Sequence, residues 1–152
     1  MKRKQFVIST IIALLLALFA GCKQSFSPAL QKADQVLSTD TEKGSQMLDS
    51  ICQAEPNMSI ANQKYCQLLK LKASDKDYQP ITNQKLLIDS LVSYFEHAGE
   101  DNLLTEAYFY AGRVYYEIGD KPEALKFYQK ASEKVAKRHR DRKSGSAGMP
   151  RP

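Results

Sequence analysis

Side chains capable of acid–base, nucleophilic or metal chemistry are few in this chain and lie far apart. His97 falls near the predicted end of a helix, and His139 lies in a basic stretch. His97 adjoins Glu96, but neighbouring helix residues do not face each other, so they do not form an acid–base pair. The sequence also lacks metal-ligand spacing, a phosphate loop or a nucleophile motif. We therefore predict a protein that is not an enzyme, with no catalytic, cofactor or metal site.

Two of the three cysteines, Cys52 and Cys66, fall on neighbouring predicted helices. An oxidising compartment would allow a disulfide between them. Reduced cysteines, in contrast, behave as small buried hydrophobic residues. We favour two buried thiols, and the disulfide is the alternative.

The third cysteine, Cys22, closes an N-terminal segment with its own composition. The basic start MKRK precedes an apolar run from Phe6 to Ala20. This run is shorter than the roughly 20 residues of a membrane-spanning helix, and the pattern is typical of a secretory signal peptide. The sequence LFAGC at 18–22 resembles a bacterial lipoprotein box. The resemblance implies acylation of Cys22; an ordinary signal peptide or anchor with an incidental Cys is the alternative.

The acyl chains that the box implies would hold the protein stably on a bilayer, because two or more chains are needed for lasting attachment. We therefore predict a lipid-anchored protein of the bacterial cell envelope, facing the periplasm or the cell surface. Lys23 stands after Cys22, where Asp retains related lipoproteins in the inner membrane. This difference favours the outer membrane.

The net charge of +5 comes from the ends of the chain. Between Cys22 and Glu133 there are 12 basic and 16 acidic residues, whereas seven Lys and Arg follow from Lys134 onward. An acidic body predicts no nucleic-acid partner. For the basic run up to Lys143, anionic lipid headgroups are a better electrostatic partner than nucleic acid after export. The favoured interpretation of this run is nevertheless a solvated helix end.

Helical periodicity dominates the rest of the chain, most clearly between Leu104 and Val135. Two amphipathic patterns meet at Gly119, and Asp120 is placed to cap the second helix. Ala124, Tyr128 and Ala131 share one face of that helix because they are four and then three residues apart. Ser59 and Gly99 are further predicted helix boundaries, as an N-cap and a C-cap residue.

The stretch 105–138 resembles a tetratricopeptide repeat (TPR), a 34-residue helix–turn–helix unit. Tyr108 and Gly112 take the Trp and Gly positions of the first helix, and Ala124 takes the Ala position of the second. Weaker pairs are predicted at 28–54 and 59–98, with a long loop at 74–80. The predicted fold is all-α, a short TPR-like α-solenoid of about three antiparallel helix pairs.

Four segments are therefore expected. Residues 1–21 would be the lipoprotein signal peptide, 22–27 a lipidated tether and 28–138 the TPR-like helical domain. Residues 139–152 are basic and then rich in small residues and Pro, so we expect a disordered tail.

The TPR resemblance also implies a binding surface, because the first helix of each pair faces the groove of the array. Its groove positions in the clean repeat are Glu106, Phe109, Arg113 and Tyr116. Aromatic, cationic and acidic groups together suit an extended peptide; the alternative is a plain solvated face. The predicted function is a non-catalytic protein-interaction scaffold with an unknown protein or peptide partner. An exported TPR sensor module shortened from a longer signal-transduction protein is the alternative.

The last predicted helix carries an additional apolar set. Its members within 121–137 are Leu125, Phe127, Tyr128, Ala131 and Val135. No further apolar helix follows to cover them, and exposed apolar patches mark interaction sites. We predict self-association, or pairing with another helical partner, through this helix.

Overall fold

The computed structural model describes residues 26–54 and 57–146. These ranges contain no strand and form six α-helices, with a 3₁₀ turn at Thr82–Gln84 before the fourth. The helices are α1 (Pro28–Thr39), α2 (Thr41–Ala54), α3 (Ile60–Lys76), α4 (Lys85–Ala98), α5 (Asp101–Glu117) and α6 (Lys121–Ser146). The predicted all-α class is confirmed.

Local sequence signals begin and end these helices. The Ser59 hydroxyl accepts a hydrogen bond from the Asn62 N–H at 3.3 Å at the start of α3. The Asp120 carboxylate does the same for the Glu123 N–H at 3.2 Å at the start of α6. Gly99 ends α4 with a φ of 73°, in the left-handed region that favours glycine. All three predicted boundary residues are confirmed.

Consecutive helices pack against each other, and the alternate helices α1, α3 and α5 are also in contact. One apolar core runs through the described chain from Leu30 in α1 to Ala131 in α6. The largest fully buried side chains are Phe95, Leu30, Leu37, Leu48, Leu68, Leu69, Ile81, Ile88, Leu91 and Val114. Because every helix from α1 to α6 contributes to this core, the described residues form one packed body.

Two glycines allow the closest helix approaches. A Cβ on Gly112 of α5 would lie 2.5 Å from the Tyr128 ring of α6. A Cβ on Gly44 of α2 would lie 2.6 Å from the backbone nitrogen of Leu37 in α1. Non-bonded atoms do not approach this closely, so a side chain at position 112 would displace the Tyr128 ring, and one at position 44 would displace the Leu37 backbone.

The connection between α3 and α4 begins later than the loop predicted at 74–80. α3 continues to Lys76, and the chain turns at Tyr78, which is almost fully exposed and has a φ of 56°. Ile81 then returns to the core, where its backbone N–H donates to the Glu117 carboxylate at 3.1 Å. The loop prediction failed at its first half because burial of the preceding α3 residues supports another turn of helix.

The expected disordered tail is also wrong over its first half, since α6 continues to Ser146. Lys and Arg are good helix formers, and cations near a helix C-terminus interact favourably with its dipole. Contacts to α5 add support: Lys134 Nζ lies 2.6 Å from Asp101 Oδ1, and Arg138 Nη2 lies 3.4 Å from Thr105 Oγ1. Residues 147–152 lie outside the described residues.

Cys52 and Cys66 form a disulfide, so the preference for two buried thiols was wrong. The packing of α2 on α3 brings their Cα atoms to 6.7 Å, within the range that a disulfide spans. Sequence spacing alone did not show this approach. The disulfide covalently joins the first helix pair to the second.

The predicted signal peptide, the lipidation residue Cys22 and the start of the tether lie outside the described residues. They stay predictions of the sequence. In 26–54 and 57–146, no helix combines the length and apolar character needed to cross a membrane.

Candidate functional site: the α5 face and its neighbours

The four predicted groove residues follow one face of α5, but they differ in what they present to solvent. Phe109 and Tyr116 are 44% and 54% exposed. Glu106 and Arg113 instead bind oppositely charged side chains of α3. The structure therefore divides the set into two exposed aromatic residues and two charges that are already paired.

Glu106 belongs to an ion-pair network that links α1, α3 and α5. At its centre is Lys72, only 8% exposed, whose Nζ donates to Asp34 Oδ1 at 2.7 Å and to Glu106 Oε1 at 3.4 Å. The Tyr65 hydroxyl donates to the other Asp34 oxygen at 2.9 Å. One buried cation thus holds two carboxylates from the two flanking helices.

Burial and charge oppose each other in this network. Burial raises the pKa of the Glu106 carboxyl, and the nearby Asp34 charge adds to it, although Lys72 pulls the pKa down. For Lys72, burial is the largest single influence and lowers the pKa. The hydrogen bond to Asp34 and the two carboxylate charges together outweigh it, so the pKa lies above its ordinary value. Lys72 is therefore a firmly held cation, and Glu106 is protonated more easily than an ordinary glutamate.

Arg113 forms a second charged cluster one turn beyond Phe109. Its Nε and Nη2 donate to Asp75 Oδ1 at 2.8 and 2.6 Å, and Nη2 also donates to Glu117 at 3.3 Å. The hydrogen bond to Asp75 raises the pKa of the guanidinium further. Arg113 thus joins α5 to α3, and its charge is compensated.

An open cavity of about 460 Å³ lies between the Lys72 network and α6. Glu106 and Lys72 stand at its polar side. Its apolar wall comes from α5 and α6 and consists of Phe109, Tyr110, Tyr128, Ala131 and Val135. We call this cavity the apolar groove. A concave apolar wall beside a few placed polar groups is the usual composition of a ligand or peptide site.

A second cavity, of about 610 Å³, lies on the other side of the Lys72 network and is more polar. Asp34, Tyr65 and Glu106 reach it from the network, and Phe26 and Arg138 reach it from the two ends of the described chain. We call it the polar cavity. Glu106 lines both cavities, so the predicted groove residue does lie at their junction.

The sequence reasoning missed Asp34 and Tyr65 as members of this site. The sequence feature that indicates a charged partner here is Lys72, which follows Leu68 and Leu69 on the buried face of α3. A lysine on a buried stripe needs a carboxylate partner, because a buried unpaired charge is very costly. The sequence does not say which carboxylate is the partner.

The apolar set predicted on α6 is only partly exposed. Leu125 and Val135 are 57% and 40% exposed, whereas Ala131 is buried. Phe127 packs its ring against Tyr115 and Tyr108, with centroids 5.3 and 6.2 Å away. Phe127 therefore supports the fold, and the predicted self-association would have to use Leu125 and Val135.

The remaining chemistry-bearing residues have structural partners. His97 Nδ1 lies 2.7 Å from the Ser93 carbonyl oxygen, one turn earlier in α4. Within the described ranges, no group of three or more His, Cys, Asp or Glu side chains is placed to hold a metal ion. The TPR resemblance rests on the residues of 105–138 alone, since comparison with protein-family models, curated proteins and solved structures finds no match for this chain.

Proposed function

We propose that the protein is a lipid-anchored, TPR-like scaffold of the bacterial cell envelope that binds a protein partner without catalysis. The observation that carries the proposal is the apolar groove, in which exposed Phe109 stands beside Val135 and half-buried Glu106. Exposed aromatic residues at the centre of a concave surface supply most of the binding energy in many interfaces. The occupant that fits is an extended peptide or a helix with apolar side chains.

Two features support the exported, anchored part of the proposal. The lipoprotein box places Cys22 a few residues before α1. The Cys52–Cys66 disulfide is expected in an oxidising compartment such as the periplasm and is rare in the cytosol. The disulfide and the box are independent of each other, so together they favour the cell envelope.

Anchoring is tested by replacing the acylated sulfur. Cys22→Ala is expected to abolish incorporation of a labelled fatty acid and to leave the chain unprocessed or released from the membrane. Cys52→Ala is the control, because it removes a cysteine that the proposal does not acylate. Labelling of the Cys22→Ala chain at the control level would refute the lipoprotein assignment.

The groove is tested by site-specific photocrosslinking in cells that produce the protein. A photoreactive phenylalanine at position 109 is expected to give a discrete crosslinked product, because Phe109 lines the groove. The same residue at position 86 is the matched control, since Leu86 is 84% exposed on α4 and does not line the groove.

A second variant shows whether the product depends on the groove. Val135→Arg places a charge on the apolar wall and is expected to remove the product at position 109, with unchanged helical circular dichroism. Products of equal yield at 86 and 109, or a product that survives Val135→Arg, would argue against the groove as the docking site.

A further inference from the structure

The C-terminal part of α6 is an ordered basic surface that extends beyond the neighbouring helix. Between Lys134 and Lys143 it has six Lys and Arg against one acid, Asp141. α6 has 26 residues and its hairpin partner α5 has 17. At about 1.5 Å per residue, the difference carries α6 roughly 14 Å past the start of α5. We call 134–143 the basic end of α6.

The basic end of α6 lies at the same end of the molecule as the start of the described chain. The Ser27 backbone N–H donates to Asn62 at 3.0 Å, which places the starts of α1 and α3 together. The polar cavity is lined at once by Phe26, by Asn102 at the start of α5 and by Arg138 of the basic end. The starts of α1, α3 and α5 and the C-terminal part of α6 therefore meet at one end of the protein.

Phe26 follows Cys22 by only four positions in the sequence. Fully extended chain covers about 3.5 Å per residue, so this end of the body lies within roughly 14 Å of an acylated Cys22. The extension of α6 past α5 is of the same length. Surface charges act over a Debye length of about 8 Å at physiological ionic strength, so cations on this extension come within range of lipid headgroups.

The cations of the basic end are not all compensated within the protein. Lys134 pairs with Asp101, so its charge is compensated within the protein. Arg138 and Arg142 hydrogen-bond the Thr105 hydroxyl and the His139 ring. The charges of Lys137 and Arg138 also act on Asp101 and lower its pKa. Six cations between Lys134 and Lys143 still outnumber the two acids near them, Asp101 and Asp141, so this end keeps a net positive charge for an external anion such as a phosphate.

We infer that the basic end of α6 binds the anionic headgroups of the bilayer that carries the Cys22 anchor. This inference rests on the proposed lipid anchoring and adds a second attachment at the same end of the body. Two attachments at one end hold that end toward the membrane, which fixes the orientation of the apolar groove. Each cation near an anionic surface strengthens binding roughly fivefold.

The first test uses the chain from Lys23 onward, which contains every residue of the described core. This chain has neither the acyl chains nor the apolar N-terminal segment. It is expected to bind vesicles of phosphatidylglycerol and phosphatidylcholine, to release at high salt, and not to bind phosphatidylcholine alone. Replacing Lys137, Arg140 and Arg142 with Gln should weaken binding about a hundredfold, at roughly fivefold per cation.

The matched control removes three charges at the opposite end, by Lys76→Gln, Lys121→Gln and Lys126→Gln. α3 ends at Lys76 and α6 begins at Lys121, both away from the basic end. Equal weakening by the two triple variants would show a net-charge effect and overturn the inference. Equally tight binding to a double-stranded DNA oligonucleotide under the same salt would overturn it too, because the surface would then be a general polyanion site.

The second test measures orientation in the acylated protein reconstituted into the same vesicles. The chain has no Trp, so His139→Trp and Lys76→Trp each supply a single indole. Brominated lipids are expected to quench the indole at position 139 and to leave the indole at position 76 unchanged; equal quenching overturns the inference. Because fatty-acid labelling tests Cys22 separately, failure of the vesicle assays leaves the anchor intact, and failure of the anchor leaves the vesicle result standing.

Discussion

Lys72→Met is expected to lower the free energy of unfolding by about 3 kcal/mol, because removing one partner of a buried ion pair leaves uncompensated charge. The methionine fills similar space, but Asp34 and Glu106 then face each other without the cation that lies 2.7 and 3.4 Å from them. Urea unfolding of the chain from Lys23 onward at pH 7 measures the loss.

The control for this prediction is Lys70→Met, two residues earlier on the same helix. Lys70 pairs with Asp49 at 3.2 Å, but about half of each side chain is exposed. Exposed ion pairs contribute at most about 1 kcal/mol. Similar losses in the two variants would mean that the Lys72 network is no more important than a surface pair.

The pH dependence separates charge from packing in the Lys72 variant. At pH 7 both carboxyls are ionised in the unfolded chain, and the variant must bury them near each other. As pH falls, protonation of Glu106, whose pKa is already raised by burial, removes this repulsion. The stability difference from wild type should therefore shrink in acid. A constant difference would point to lost packing.

The change of stability in alkaline solution follows from the pKa of Lys72 itself. Its pKa is raised in the folded protein, so its stabilisation is complete below the ordinary lysine value of 10.5 and is lost only as pH rises through the folded value. Wild type should lose more stability there than the Lys72→Met chain, in which only the buried tyrosines and the other groups with raised pKa values contribute to the loss.

Cys52→Ala with Cys66→Ala is expected to lower stability by about 3 kcal/mol as well. The disulfide closes a loop of 14 residues, and a loop of about that size constrains the unfolded chain by roughly that amount. For a domain of this size the melting temperature should fall by on the order of 10 °C. Differential scanning calorimetry of the chain from Lys23 onward measures the change.

Reductant supplies the control for the disulfide prediction. It should lower the melting temperature of wild type to that of the double variant and leave the variant unchanged, since no other cysteine follows Lys23. Wild type that melts at the same temperature with and without reductant would contradict a stabilising disulfide.

Much of the fold was predictable because it depends on neighbours in sequence. Apolar periodicity located the helices, and Ser59, Gly99 and Asp120 marked their boundaries, since a cap bonds backbone groups two or three residues away. The small residue at 112 correctly indicated a close helix crossing. The end of α6 was mispredicted because composition suggested disorder, whereas contacts from Lys134 and Arg138 to α5 lie outside local sequence.

By itself, the sequence determined the all-α class, the order of the helices and the position of Glu106 and Phe109 on one face of α5. The tertiary structure decided which side chains contact each other. Lys72 meets Asp34 and Glu106 across 38 and 34 residues, and Cys52 meets Cys66 across a helix boundary. Such pairings depend on how α1, α2, α3 and α5 pack, and periodicity gives the apolar face of each helix but not its rotation and height against the next.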